Sequence, residues 1–203
     1  MGDGDMMDSF TVFPDQRIDA SGPVAQRFLE LGIDKFVAAC RFVHELPYGY
    51  NSDRDDPMIL FREKFGSCTT KHAVIAALAS ELELPIKKFI GIYAMTEAIV
   101  AGTDPILAKY GLPCVPMVHC FLVYGDFRVD LTEGNHNGKK SSIEAFLFTS
   151  MVTPGITAKD EYLLYRNALK DSILKREAFS GIDIRRILHA REEGIALLKA
   201  NIL

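Results

Sequence analysis

Apolar residues fall at helical spacing soon after Pro23: Val24, Phe28 and Leu31 share one stripe, and Gly32 ends the run. A second stripe of Phe36, Val37, Cys40 and Val43 predicts a helix reaching about Leu46, where Pro47 stops it. The loop that follows, YGYNSDRDDP, is aromatic and acidic. Phe65-Gly66-Ser67 then leads into CTTKHAVIAALASELEL, which lacks Gly and Pro and is apolar on most sides through its middle. A helix apolar all round is a buried one. This segment is therefore the expected central helix, with Cys68 at its start.

Pro85 closes that helix, and KKFIGIYAM reads as a strand. Residues 96–116 form a long connection with a short helix over Pro105–Tyr110, for which Asp104 is the expected cap and Gly111 the expected end. VHCFLVY-GD-FRVDLT predicts two strands around a two-residue turn of type II′. After the turn-rich EGNHNGKK, helices are expected over about 142–150, 157–177 and 181–202. In the last, Ile184, Leu188, Arg191, Ile195, Leu198 and Ile202 form a heptad-like seam broken by Arg191. Packing on the domain itself is the favoured reading of that seam, with a dimer as the alternative. A buried Arg191 is expected to need a carboxylate.

The hairpin register carries chemistry. If Gly125 and Asp126 are the two loop residues, Tyr124 pairs with Phe127, and His119 shares a face with Phe121, Arg128, Asp130 and Thr132. Asp130 is then a diagonal neighbour of His119, at a Cβ separation of roughly 7 Å. A carboxylate there accepts from one imidazole nitrogen and leaves the other free to act as a base. Cys68 is complementary: at a helix start the free N–H groups and the macrodipole favour a thiolate, and its own N–H can face an oxyanion. Thiolate, imidazole and carboxylate are the parts of an acyl-transfer site.

Composition narrows the field. The 203 residues are 48% hydrophobic and 25% charged, which suits one globular domain and excludes wholesale disorder. The net charge is −4, and Asp3, Asp5 and Asp8 account for most of it, so no basic stripe stands ready for nucleic acid. Residues 1–15 are expected to be a flexible acidic tail, and 16–203 a single domain of which 151–203 is a helical extension. The longest apolar run, Ala73–Ala79, is far too short for a membrane span, and the start shows neither a secretory signal nor a myristoylation site. A cytoplasmic protein without a membrane partner is expected. Cys40, Cys68, Cys114 and Cys120 show no C-x-x-C spacing and read as reduced thiols.

The apolar helix opening with G-x-C, the Leu-Pro break and strand, and the His strand paired with V-D-L-T together resemble the transglutaminase-like superfamily over about residues 34–135. That resemblance implies an α+β, papain-like core in which the central cysteine-bearing helix packs on an antiparallel sheet, with helices added at the C-terminus. It implies a nucleophile at Cys68, a general base at His119 and an orienting acid at Asp130. The chain departs from the family in having Cys120-Phe121 where a Trp often follows the His, Leu131 in place of a Pro after the acid, and no Trp at all.

The expected activity is thiol-dependent acyl transfer on a peptide or small amide, hydrolysis before crosslinking, with no cofactor and no metal. The alternative is a catalytically silent module that keeps the cleft for a protein or peptide partner. Tyr48, Tyr50 and Ser67 are the candidate substrate-binding residues. The aspartates near the tyrosines are read as a solvated loop, the sharper alternative being a wall for cationic groups. His72, one turn after Cys68, is read as a packed residue tuning the site. A zinc set of Cys68, His72, Cys114 and His119 lacks the close ligand pairs zinc prefers. Cys40 and Cys120 are read as core.

Overall fold

A computed structural model describes residues 9–202. Pro23 opens α1 (Pro23–Glu30), where a missing N–H is no loss. The helix is capped from a distance: Glu81 accepts from Val24 N at 3.0 Å and Ala25 N at 2.6 Å. A Cβ on the cap residue Gly22 would stand 2.2 Å from the Glu81 carboxyl carbon, so glycine makes room for that carboxylate. α2 (Phe36–Glu45) and α3 (Ile59–Glu63) lean on α4 (Cys68–Glu81), which is buried around most of its circumference.

The sheet contains β1 (Lys87–Met95), β2 (Val115–Tyr124), β3 (Phe127–Val129) and β4 (Phe148–Val152), all antiparallel in the order β3-β2-β1-β4. α5 (Asp104–Tyr110) lies in the connection between β1 and β2, and α6 (Ala158–Asp171) and α7 (Ile184–Ala200) complete the described fold. One hydrophobic core joins α1, α2 and α4 to Leu122, Val129 and Leu131; a second joins β1 and β2 to α5, α6 and α7. Cys68, Ile90 and Cys120 form a small cluster of their own where α4 meets the sheet. The chain is thus mixed α+β, with its cysteine-bearing helix on an antiparallel sheet. No described helix is long and apolar enough to cross a membrane.

Several expectations need correction. Residues 142–150 are not a helix: the chain runs irregularly and then forms β4, whose residues alternate in burial against the β1 edge. Position 151 falls inside that strand, and the helices that follow begin at Ala158. The expected tail is shorter than fifteen residues, because Phe10 and Phe13 are buried in the first core; residues 1–8, with Asp3, Asp5 and Asp8, lie outside the described residues. Thr103, not Asp104, caps α5, while Glu97 takes the free N–H groups of Gly102 and Asp104. Finally, α7 buries Ile187, Ala190 and Gly194 most deeply beside Leu198 of the expected seam, while Ile184, Leu188 and Ile195 pack half-buried at the edge of the second core. Small residues explain the rotation: a Cβ on Gly194 would come 2.8 Å from Met95 Cε, so its absence lets the helix lie close on the sheet.

Lys71 ties the first turns of α4 to their surroundings. It is buried, and its ammonium donates to His44 O at 3.0 Å, to Leu46 O and to Asn135 Oδ1 at 3.1 Å. Burial lowers its pKa to about 8, with the Asp130 charge working the other way. Lys71→Met removes the charged donor and leaves His44 O and Leu46 O to Asn135 Nδ2 alone; it is expected to cost about 2 kcal/mol of stability, read from the urea midpoint at unchanged slope.

Candidate active site

Close backbone crossings build the approach to Cys68. Gly49 N donates to Gly66 O at 3.2 Å, and Gly66 N donates to Pro47 O at 3.1 Å. A Cβ on Gly49 would lie 2.7 Å from the Phe65 ring, and one on Gly66 would lie 2.7 Å from Thr70 Oγ1. Only glycines permit this crossing, and it brings Tyr48 and Tyr50 beside the start of α4. Asn51 pins the loop there, accepting from Thr70 Oγ1 at 2.7 Å and donating to Phe65 O at 2.9 Å. Ser67 is the extended cap residue, and Cys68 is the first residue of the helix.

The hairpin supplies the rest. Tyr124 pairs with Phe127, Val123 with Arg128 and Leu122 with Val129, the register a two-residue Gly125-Asp126 loop predicts. Gly125 has φ 56°, the positive value such a turn needs at its first central position. Asp130 follows directly on β3, and its Oδ2 lies 2.6 Å from His119 Nε2. His119 thus donates from Nε2, which leaves Nδ1 for the thiol. Asp130 Oδ1 accepts from Thr132 N at 2.8 Å and Thr132 Oγ1 at 2.7 Å.

His72 holds this corner. Its Nε2 accepts from Leu131 N at 2.8 Å, so its proton sits on Nδ1, which donates to Cys68 O at 2.6 Å. Burial lowers its pKa to about 4, against the opposing pull of Asp130. It is a neutral link between the first turn of α4 and the end of β3.

The electrostatics favour charge separation. Burial depresses the His119 pKa, but the charges of Asp130 and Cys68 outweigh it and raise it to about 9. The Cys68 thiol is held well below its ordinary value by a hydrogen bond from Cys120, against burial, with further help from His119 and the Lys139 charge. Cys120 moves the other way, raised by the same hydrogen bond and by burial. Burial and the Cys68 charge keep the Tyr48 hydroxyl neutral against the sulfur. Both shifts run towards a thiolate beside an imidazolium.

These groups open onto a cleft of about 130 Å³. Tyr48, Tyr50, Ser67, Cys68 and His119 all line it, while Asp130 stands behind His119. The loop aspartates do not: Asp55 accepts from Ala158 N at 2.7 Å, and Asp56 pairs with Arg62. No acidic wall for cationic groups forms. Among the described residues no His, Cys, Asp and Glu cluster is arranged to hold a metal; Cys114 sits in the second core, where burial raises its pKa to about 11. Sequence reasoning missed Arg54, Lys139, Glu161 and Arg191 as cleft residues, and it placed Cys120 in the core without its contact to Cys68. The alternation of β2 signals only that Cys120 is buried; Arg191 shows only as a break in an apolar seam, and nothing local marks the other three.

No protein-family model matches the chain, and neither a curated protein nor a solved structure matches it.

An ordinary thiol with a pKa near 8.5 loses roughly two orders of magnitude in alkylation rate between pH 8 and pH 6. Cys68 is expected to lose only a few-fold with iodoacetamide, the adduct being located by mass spectrometry and absent in Cys68→Ser. Asp130→Asn removes the charge that raises His119, so the alkaline limb near pH 9 should move to lower pH.

Proposed function

We propose that the protein is a thiol-dependent acyl-transfer enzyme with a transglutaminase-like, papain-like core, acting on amide carbonyls through a thioester on Cys68. The observation that carries this reading is the 2.6 Å contact of His119 Nε2 with Asp130, at an imidazole raised to about 9 beside a thiol held low. A binding module has no use for a buried, charge-separated pair of this kind, which weighs against the silent alternative.

In the first half-reaction the Cys68 thiolate attacks the carbonyl carbon, and the oxyanion faces the Cys68 N–H at the positive end of α4. The imidazolium gives its Nδ1 proton to the departing amine as the carbon–nitrogen bond breaks. In the second, Nδ1 takes a proton from water as its oxygen attacks the thioester carbon; the carbon–sulfur bond then breaks, the acid leaves, and the thiolate and imidazolium are restored. Asp130 keeps the ring oriented and the imidazolium stable through both steps. Hydrolysis of a peptide or side-chain amide is the favoured outcome, with transfer to an amine the alternative fate of the same thioester.

The test is covalent trapping. An activated ester such as p-nitrophenyl acetate should release a burst of nitrophenol and leave an acetyl group on Cys68 that hydroxylamine removes. Relative to wild type, kcat/KM should fall about 10⁴-fold or more in Cys68→Ala, about 10³-fold in His119→Ala, and about 10²-fold in Asp130→Asn. An amide turned over equally by wild type and Cys68→Ala would refute the reading.

A further inference from the structure

Four charged side chains line the cleft besides the reacting pair, and two of them cancel. Arg54 grips Glu161 through bonds of 2.9 and 2.6 Å, a closed pair. Arg191 and Lys139 are not so matched. Among the described residues the Arg191 guanidinium has neither an ion pair nor a hydrogen bond, and its Nε is covered by protein and unbonded. It lies over the Tyr165 ring, 4.9 Å from the centroid. A contact between a cation and a ring face uses none of the guanidinium's N–H donors, so they stay available to a ligand. Lys139 arrives from the loop after β3; it is half-buried, its ammonium lies 5.8 Å from the centroid of the Tyr48 ring, and no acceptor among the described residues holds it.

Two unpaired cations in one small cleft are unfavourable until an anion joins them. The anions already present are engaged. The Cys68 thiolate faces His119, and both oxygens of Asp130 are taken by His119 and Thr132. Acylation sharpens the imbalance, because a thioester carries no charge and the thiolate that offset Lys139 is gone. The expected alternative, a wall for cationic substrates, is opposed by the placement of Asp55 and Asp56 outside the cleft.

Resting on the acyl-transfer reading above, we propose that the cleft selects acyl groups bearing a carboxylate, which Arg191 and Lys139 bind while Cys68 attacks the neighbouring carbonyl. At about 130 Å³ the space is below that of a drug-sized pocket, so the acyl group is one of residue size: an acidic amino-acid residue or a short dicarboxylic monoamide.

Iodoacetate and iodoacetamide differ by one negative charge at nearly constant shape, so the ratio of their rates on Cys68 reads the anion subsite and cancels the thiolate fraction. Wild type should favour iodoacetate about tenfold over the ratio for free glutathione measured alongside. Because His119 also attracts the carboxylate, the assignment rests on the variants. Arg191→Gln and Lys139→Gln should each lower the ratio several-fold, and Arg191→Lys should lose less than Arg191→Gln. A wild-type ratio no higher than that of glutathione overturns the proposal without recourse to any variant, and so does a high ratio unchanged in both folded Gln variants. Failure of the underlying reading looks different: iodoacetamide would then follow an ordinary thiol pH profile whatever the ratio.

Discussion

A carboxylate as enclosed as Asp130 stays ionised only because its lone pairs are claimed. His119 Nε2 holds one oxygen at 2.6 Å, and the backbone N–H and hydroxyl of Thr132 hold the other. The ionised carboxylate keeps the imidazole protonated against its own burial, and the imidazolium helps keep the Cys68 thiol deprotonated. His72 then joins the backbone of Leu131 to the carbonyl of Cys68, so the strand that bears the acid and the helix that bears the nucleophile share one neutral imidazole. Remove the charge on Asp130 and both the imidazolium and the low thiol lose their support, while the His72 link, kept neutral by burial, would stand.

Around that charge the cleft is assembled from segments far apart in the chain. Tyr48 and Tyr50 depend on two glycines that allow backbone crossing, Lys139 on a loop after β3, and Arg191 on a terminal helix that comes close because Gly194 carries no side chain. Lys88, buried in β1, donates to Thr69 O at 3.2 Å and Pro154 O at 2.9 Å, linking the first turn of α4 to the chain beyond β4. The packing that positions the chemistry is therefore mostly tertiary.

This explains what the sequence revealed and what it concealed. The hairpin was legible because a two-residue Gly-Asp loop fixes the register, and the register fixes which side chains share a face; His119 and Asp130 follow from counting. The start of α4 was legible because Gly66 and Ser67 precede a long run without helix breakers. β4 was not, since FTSMV does not alternate in polarity: Ser150 is half-buried and Met151 exposed, a pattern that the β1 edge imposes on the segment. The buried face of α7 was misjudged because large apolar residues draw attention, whereas Ala190 and Gly194 set the contact by being small. Lys139, Arg54 and Glu161 left no local trace, and Arg191 left only a gap in an apolar seam. Their meaning lies in having, or lacking, partners more than fifty residues away.

The two hydrophobic cores share β2, whose Leu122 packs in the first and whose Val115 and Met117 pack in the second, and the reacting groups sit where α4 rests on that strand. Cys68 belongs to the helix whose body fills the first core, while β2, which carries His119, runs on into the second. A molecule seated between Cys68, Lys139 and Arg191 touches both halves at once. By thermodynamic linkage, whatever fills the cleft also fastens the halves together, and its affinity is added to the free energy that keeps them from parting. Occupancy and cohesion are, in this fold, two readings of one quantity.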